Sequence, residues 1–95
     1  MDKSAAGGLS VIVVGASGDL ARRKIIPALF ALYCQELIPR PFRLMGFART
    51  PMTDEAFRGL IGEHLTCRYA PGERCADRMA EFLGCCHYQI GRAHV

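Results

Sequence analysis

Gly15-Ala16-Ser17-Gly18-Asp19, followed at once by Arg22, Arg23 and Lys24, is the part of this chain best equipped for chemistry. Two glycines close together permit a tight turn, and three cations just beyond favour an anion. If the turn leads into a helix, the first helical N–H groups lack internal acceptors and the helix dipole turns its positive end toward the ligand. The dipole alone contributes about 0.3–1 kcal/mol to a bound phosphate. Gly15 allows a sharp exit from a strand, and Gly18 keeps a Cβ away from an approaching pyrophosphate. Ala21 is small enough for the helix to sit close to the strand, and the Ser17 hydroxyl can donate to a phosphate oxygen. Arg22, one turn into the helix, can reach a phosphate, whereas Arg23 reads as solvated. Lys24 is spaced to lie along the apolar face toward a cofactor. The pattern is G-x-x-G-x-x-A, not the commoner G-x-G-x-x-G and not a P-loop. The same glycines would also serve a plain strand-to-helix turn with no ligand.

Such a turn needs a strand before it and a helix after it. Leu9 to Val14 is a short apolar run rich in β-branched residues, without polar alternation, and predicts a strand buried on both faces. From Asp19 to about Gln35 the apolar residues Leu20, Ile26, Leu29, Phe30, Tyr33 and Leu37 recur at helical spacing. Pro27 is costly inside a helix but cheap in a first turn, which predicts an irregular turn after Asp19 and a main helix opening near Lys24 to Ile26. Phe42–Ala48 is a second strand. Thr53, then Asp54 and Glu55, starts a helix that runs to about Thr66, with Phe57, Leu60, Ile61 and Leu65 on one side. After the Pro71-Gly72 break, Arg74 to Leu83 forms a third helix with Met79, Phe82 and Leu83 as its stripe, and Cys85 to Ile90 a third strand. The order β-α-β-α-α-β is that of an α/β fold with a parallel sheet, a Rossmann-like mononucleotide-binding half.

The end of the second strand distinguishes between cofactors. An acid there would suit the ribose 2′-hydroxyl of NAD. Here Gly46-Phe47-Ala48 is followed by Arg49 and Thr50, which suit the 2′-phosphate of NADP, although an exposed loop arginine has the same sequence appearance.

Bulk properties exclude several classes. Ninety-five residues make one small domain or part of a larger one, and 51% hydrophobic content is that of a globular chain. The net charge of +3 is mild and scattered, which argues against nucleic acid as partner. No apolar run is long enough for a membrane helix. The five cysteines are odd in number and lack C-x-x-C spacing, so free, mostly buried thiols in a reducing, cytoplasmic setting are expected. Cys85-Cys86-His87 falls in a predicted buried strand with no second ligand pair, so no metal site is assigned, and His64 reads as a surface or boundary residue.

GASGDLARRKIIPALFALYCQELIP closely resembles the N-terminal signature and long helix of the glucose-6-phosphate dehydrogenase family. GFART resembles that family's second-strand ending, and T-D-E-A-F and the approach to Tyr88 are also similar. The resemblance spans about Val11 to Tyr88. It implies that Gly15, Ala16, Ser17, Gly18, Asp19, Leu20, Ala21 and Arg22 hold the NADP pyrophosphate, that Arg49 with Thr50 meets the 2′-phosphate, and that Lys24 lies near the sugar substrate. It implies oxidation of glucose 6-phosphate at C1 to the lactone, the first step of the oxidative pentose phosphate pathway, by a homo-oligomeric parent enzyme. The family's E-K-P-[FL]-G and D-H-Y segments have no counterpart here, so no catalytic residue is assigned and the chain by itself is expected to be inactive. The domain reading is a flexible leader over 1–8, a partial dinucleotide-binding domain over 9–89, and a tail over 90–95. That tail, IGRAHV, matches one reading frame of a sequencing adapter and is expected to be non-native. The competing readings are a non-catalytic NADP sensor, which would not need Lys24, and a short-chain reductase or epimerase, which would need a later Tyr-x-x-x-Lys pair. The basic triplet with Pro27 favours the dehydrogenase.

Overall fold

A computed structural model describes residues 8–66 and 72–91, with side chains from residue 74 onward in the second stretch. Strand β1 (Leu9–Val14), strand β2 (Phe42–Ala48) and strand β3 (Cys86–Ile90) form a three-stranded parallel sheet in the order β1-β2-β3. The β1 register pairs Val11 with Leu44 and Val13 with Gly46, and that of β3 pairs Cys86 with Leu44 and Tyr88 with Gly46. These side chains therefore share one face. Helices α1 (Ile26–Cys34), α2 (Asp54–Gly62) and α3 (Gly72–Gly84) supply the connections. The fold is thus the expected α/β arrangement.

The segment between the glycine turn and α1 is helical but irregular. Ala21–Ile25 form a π-turn in which the Ile26 N–H donates to the Ala21 carbonyl. The wider turn places Ala21 and Ile26, both buried, on the same face, and Phe30 and Tyr33 then continue that face at ordinary helical spacing. Pro27 sits in the first turn of α1, where its missing N–H costs little. Leu20 and Leu37, expected on the apolar stripe, are 67% and 63% exposed. Leu20 precedes the residues that reach the sheet. Leu37 follows Glu36, whose φ of 61° ends the helix, with Leu37 N–H on the Leu32 carbonyl and Glu36 N–H on that of Tyr33. Ile38 takes the buried place instead. Helix α2 also ends earlier than Thr66, because Gly62 and the short turns His64 N–H to Ile61 O and Leu65 N–H to Gly62 O tighten the chain, yet Leu65 stays buried.

One aromatic knot centred on Phe82 gathers the elements. Its ring lies 5.2 Å from Phe30, 5.5 Å from Tyr33 and 5.7 Å from Phe42. Each such pair contributes about 0.5–1.5 kcal/mol beyond its buried area. Phe57 of α2 packs on the Gly46 end of the same face, so all three helices cover the Phe42–Leu44–Gly46 face. The opposite face carries Ile12 and Val14, which are 64% and 71% exposed. This corrects the expectation that β1 is buried on both sides. The apolar run is that of a strand built for two covers, and the three helices provide one.

The cysteines divide. Cys34, Cys85 and Cys86 are free, as expected, but Cys75 is disulfide-bonded. Burial pushes the Cys86 thiol up to about 12, and its sulfur donates to the Phe82 carbonyl at 3.3 Å, so it is a packing residue. Among the described residues no group of three or more His, Cys, Asp or Glu side chains converges, and no helix is long and apolar enough to cross a membrane.

The outer edge of β3 is held by helix α2. Tyr88 N–H donates to Asp54 Oδ1 at 2.8 Å, and Arg58 Nε donates to the Cys86 carbonyl at 2.9 Å. Asp54 Oδ2 also lies 3.3 Å from His87 Nδ1. The Tyr88 amide, before the other contacts, holds the Asp54 carboxyl below its ordinary value. A lowered folded-state pKa means that the carboxylate's contribution is present above the unfolded value and is lost as pH falls through the folded one. Asp54→Asn should therefore flatten the acid limb of the stability–pH curve below the ordinary aspartate pKa of about 4, as read by denaturant unfolding at a series of pH values. An unchanged acid limb would remove Asp54 from this role.

Candidate functional site

Parallel pairing brings the C-terminal ends of β1 and β2 to one end of the sheet, so Gly15–Gly18 and Arg49–Thr50 emerge side by side. Gly15 has φ 74°, the left-handed region that a side chain disfavours. Gly15 and Ala16 both donate to the Phe47 carbonyl, at 2.8 and 3.1 Å, which folds the turn back over β2. Gly18 N–H then closes on the Gly15 carbonyl at 2.9 Å, and Arg22 N–H reaches the Gly18 carbonyl at 3.1 Å, which starts the helix.

Gly46 makes this fold-back possible. A Cβ built there would stand 2.7 Å from Ala16 Cβ and 2.9 Å from Phe57 Cζ. Ala16 and Phe57 are fully buried, so neither has room to withdraw. By residue type alone Gly46 is one more position of the second strand. The available signal was a glycine in a strand interior, which marks a close backbone approach.

The turn's charged residues are already arranged. Arg22 Nη2 contacts Asp19 Oδ1 at 2.7 Å, and Arg23 Nε approaches the same oxygen at 3.7 Å. The guanidinium of Arg22 is thereby fixed beside the turn, while its Nε is buried without a hydrogen-bond partner. A buried N–H donor left open beside a glycine turn suits a further acceptor, such as a phosphate oxygen. Ser17 is half-buried at the same place, and Gly18, Asp19 and Leu20 are exposed around it. Ala21 is buried against the core, as a small residue at a helix–strand contact requires.

Arg49 and Thr50 are exposed just past β2, and among the described residues Arg49 makes no ion pair. The Thr50 carbonyl accepts from the Tyr88 hydroxyl at 2.6 Å. Lys24 is exposed and stands apart from the turn. It lines a cleft of about 550 Å³ with Arg23, Pro27, Phe30, His64 and Thr66. The structure thus groups the glycine turn, Arg22, Arg49 and Thr50 at one sheet end and puts Lys24 on a neighbouring face.

A left-handed glycine turn after a parallel strand, a close-packed small residue at the next helix, and an exposed arginine beyond the second strand define a dinucleotide-binding Rossmann half. The family model described as "Glucose-6-phosphate dehydrogenase, NAD binding domain" matches residues 12–94, and the chain belongs to that family. It is 51% identical over 84 residues to the chloroplastic glucose-6-phosphate 1-dehydrogenase of Spinacia oleracea, across 88% of this chain and 15% of that protein. It is 43% identical over 83 residues to an Arabidopsis thaliana protein named inactive glucose-6-phosphate 1-dehydrogenase 4, chloroplastic, across 87% of this chain and 13% of that one. A solved glucose-6-phosphate dehydrogenase in complex with its substrate glucose-6-phosphate superposes with a TM-score of 0.80 at 30% identity, over 87% of this chain and 17% of that one. The chain therefore spans about 15% of the length of the curated relatives it matches.

The packing around Gly46 generates a prediction. Gly46→Ala should destabilise the fold by about 1–3 kcal/mol through overpacking and should weaken dinucleotide binding, because Ala16 and the turn must move. Denaturant unfolding and cofactor titration together test this. Unaltered binding with lowered stability would separate the turn from the site.

Proposed function

We propose that this chain is the cofactor-binding N-terminal part of an NADP-dependent glucose-6-phosphate dehydrogenase. In that reading the whole enzyme oxidises C1 of glucose 6-phosphate to the lactone. The bound nicotinamide supplies the hydride acceptor. The observation that carries the cofactor choice is Arg49, an exposed cation with no described ionic partner, placed beside the glycine turn where an acid would serve NAD.

The chain's residues bind and orient. Gly15, Ala16, Ser17, Gly18, Asp19, Leu20 and Ala21 supply the turn and the first helical amides that face a pyrophosphate, and Arg22 adds its guanidinium. Arg49, with Thr50, meets the 2′-phosphate. Asp19 keeps Arg22 at the turn and offsets part of its charge, whereas Arg49 keeps its full charge for the 2′-phosphate. Lys24 faces the adjoining cleft, which suits contact with the sugar substrate rather than with the dinucleotide. Proton abstraction from the sugar hydroxyl is assigned to no residue here. His64 lies in the Lys24 cleft, and His87 pairs with Asp54 away from the turn. The uncovered sheet face and the exposed Ile12 and Val14 fit a half-domain whose partner half completes the crevice. The parent enzyme is a homo-oligomer in this reading and works in the cytoplasm, without nucleic acid or membrane as a partner.

A relative named inactive shows that membership and turnover separate, so the tests address binding and turnover in turn. In the full-length protein, Arg49→Glu should weaken NADP by at least tenfold, about 1.4 kcal/mol, and leave NAD nearly unaffected. Equal loss of both cofactors would remove Arg49 from the 2′-phosphate. The purified 95-residue chain should reduce no NADP in the presence of glucose 6-phosphate. Measurable turnover by that chain would show that it carries its own base.

A further inference from the structure

We propose that Tyr88 is a positioning residue for cofactor selection, acting through the Arg49–Thr50 backbone; this rests on the 2′-phosphate reading of Arg49. Tyr88 is a β3 residue, and β3 lies two strands from the glycine turn. Its ring is buried and lies 5.1 Å from that of Phe57, and its amide is held by Asp54. Packing and strand position are therefore settled without the hydroxyl. The hydroxyl instead donates to the Thr50 carbonyl at 2.6 Å, at the point where the chain leaves β2.

That bond ties an exposed loop to a rigid, buried side chain. Arg49 immediately precedes the anchored carbonyl, and a long arginine side chain loses much rotamer freedom when it pairs with a phosphate. A backbone fixed beforehand lowers the cost of binding that the side chain must otherwise meet. The Phe57 ring that supports Tyr88 is the same ring that closes on the Gly46 position, opposite Ala16. One buried aromatic pair thus supports both the pyrophosphate turn and the 2′-phosphate loop. A phenylalanine would pack as well against Phe57 but would release Thr50.

Tyr88→Phe in the full-length protein isolates the hydroxyl. The dissociation constants of NADP and NAD, and of adenosine 2′,5′-bisphosphate and ADP, are measured for wild type, Tyr88→Phe and Arg49→Glu. In Tyr88→Phe the ligands carrying a 2′-phosphate should weaken about three- to tenfold, the loss of one neutral hydrogen bond. NAD, ADP and the KM for glucose 6-phosphate should hold. Equal weakening of all ligands, no change in any, or a Tyr88→Phe protein that does not fold would overturn the proposal. If Arg49→Glu remains selective in that case, only the role of Tyr88 falls. If Arg49→Glu weakens both ligand classes alike, the 2′-phosphate reading fails and the role of Tyr88 falls with it.

Discussion

The space above Gly46 is the constraint on which the site depends. From one side Ala16 enters it as the glycine turn folds back onto β2, and from the other the Phe57 ring closes it. Two amides on a single carbonyl, that of Phe47, hold the turn there. The left-handed Gly15 lets the chain leave β1 in that direction. A turn positioned by buried packing needs little reordering when a ligand arrives, which is what a phosphate site made largely of backbone requires.

The helices transmit that constraint through the molecule. Phe57 comes from α2, whose first turn also carries Asp54, and Asp54 holds β3 through the Tyr88 amide. Tyr88 in turn rests on Phe57 and reaches Thr50. At the other end of the sheet Phe82 ties α3 to α1 and β2. The π-turn at Ala21–Ile25 lets a helix that begins at the glycine turn still present Ala21, Ile26 and Phe30 to one core.

Much of this was legible in the sequence where a local rule and the tertiary structure agree. The strands Leu9–Val14 and Phe42–Ala48 have the boundaries expected from their β-branched and aromatic runs, and Thr53 caps α2 through the Ala56 N–H as its residue type predicts. The glycine turn was visible because left-handed backbone and small-residue packing leave a residue-type signature. The misses arise where the answer lies across space. Leu20 and Leu37 have the period of a stripe but fall outside the stretch that meets the sheet. β1 reads as doubly covered because its composition suits that, while coverage depends on what else is packed against it. Gly46, Arg58 and Tyr88 matter through partners 28 or more residues away for the two side chains and through Ala16 and Phe57 for the glycine, and no local window contains those pairings.

The Asp54 and Arg58 contacts give the sheet a direction of growth. With the outward Tyr88 N–H and Cys86 C=O taken up by helix side chains, β3 is a poor template for another strand, and among the described residues β1 is the margin with no strand beyond it. That margin is the one beside the glycine turn. A strand added there would extend the ladder and stand against the glycine turn in a single step. Edge-on self-association through β3, the route by which open parallel sheets aggregate, is discouraged by the same two side chains.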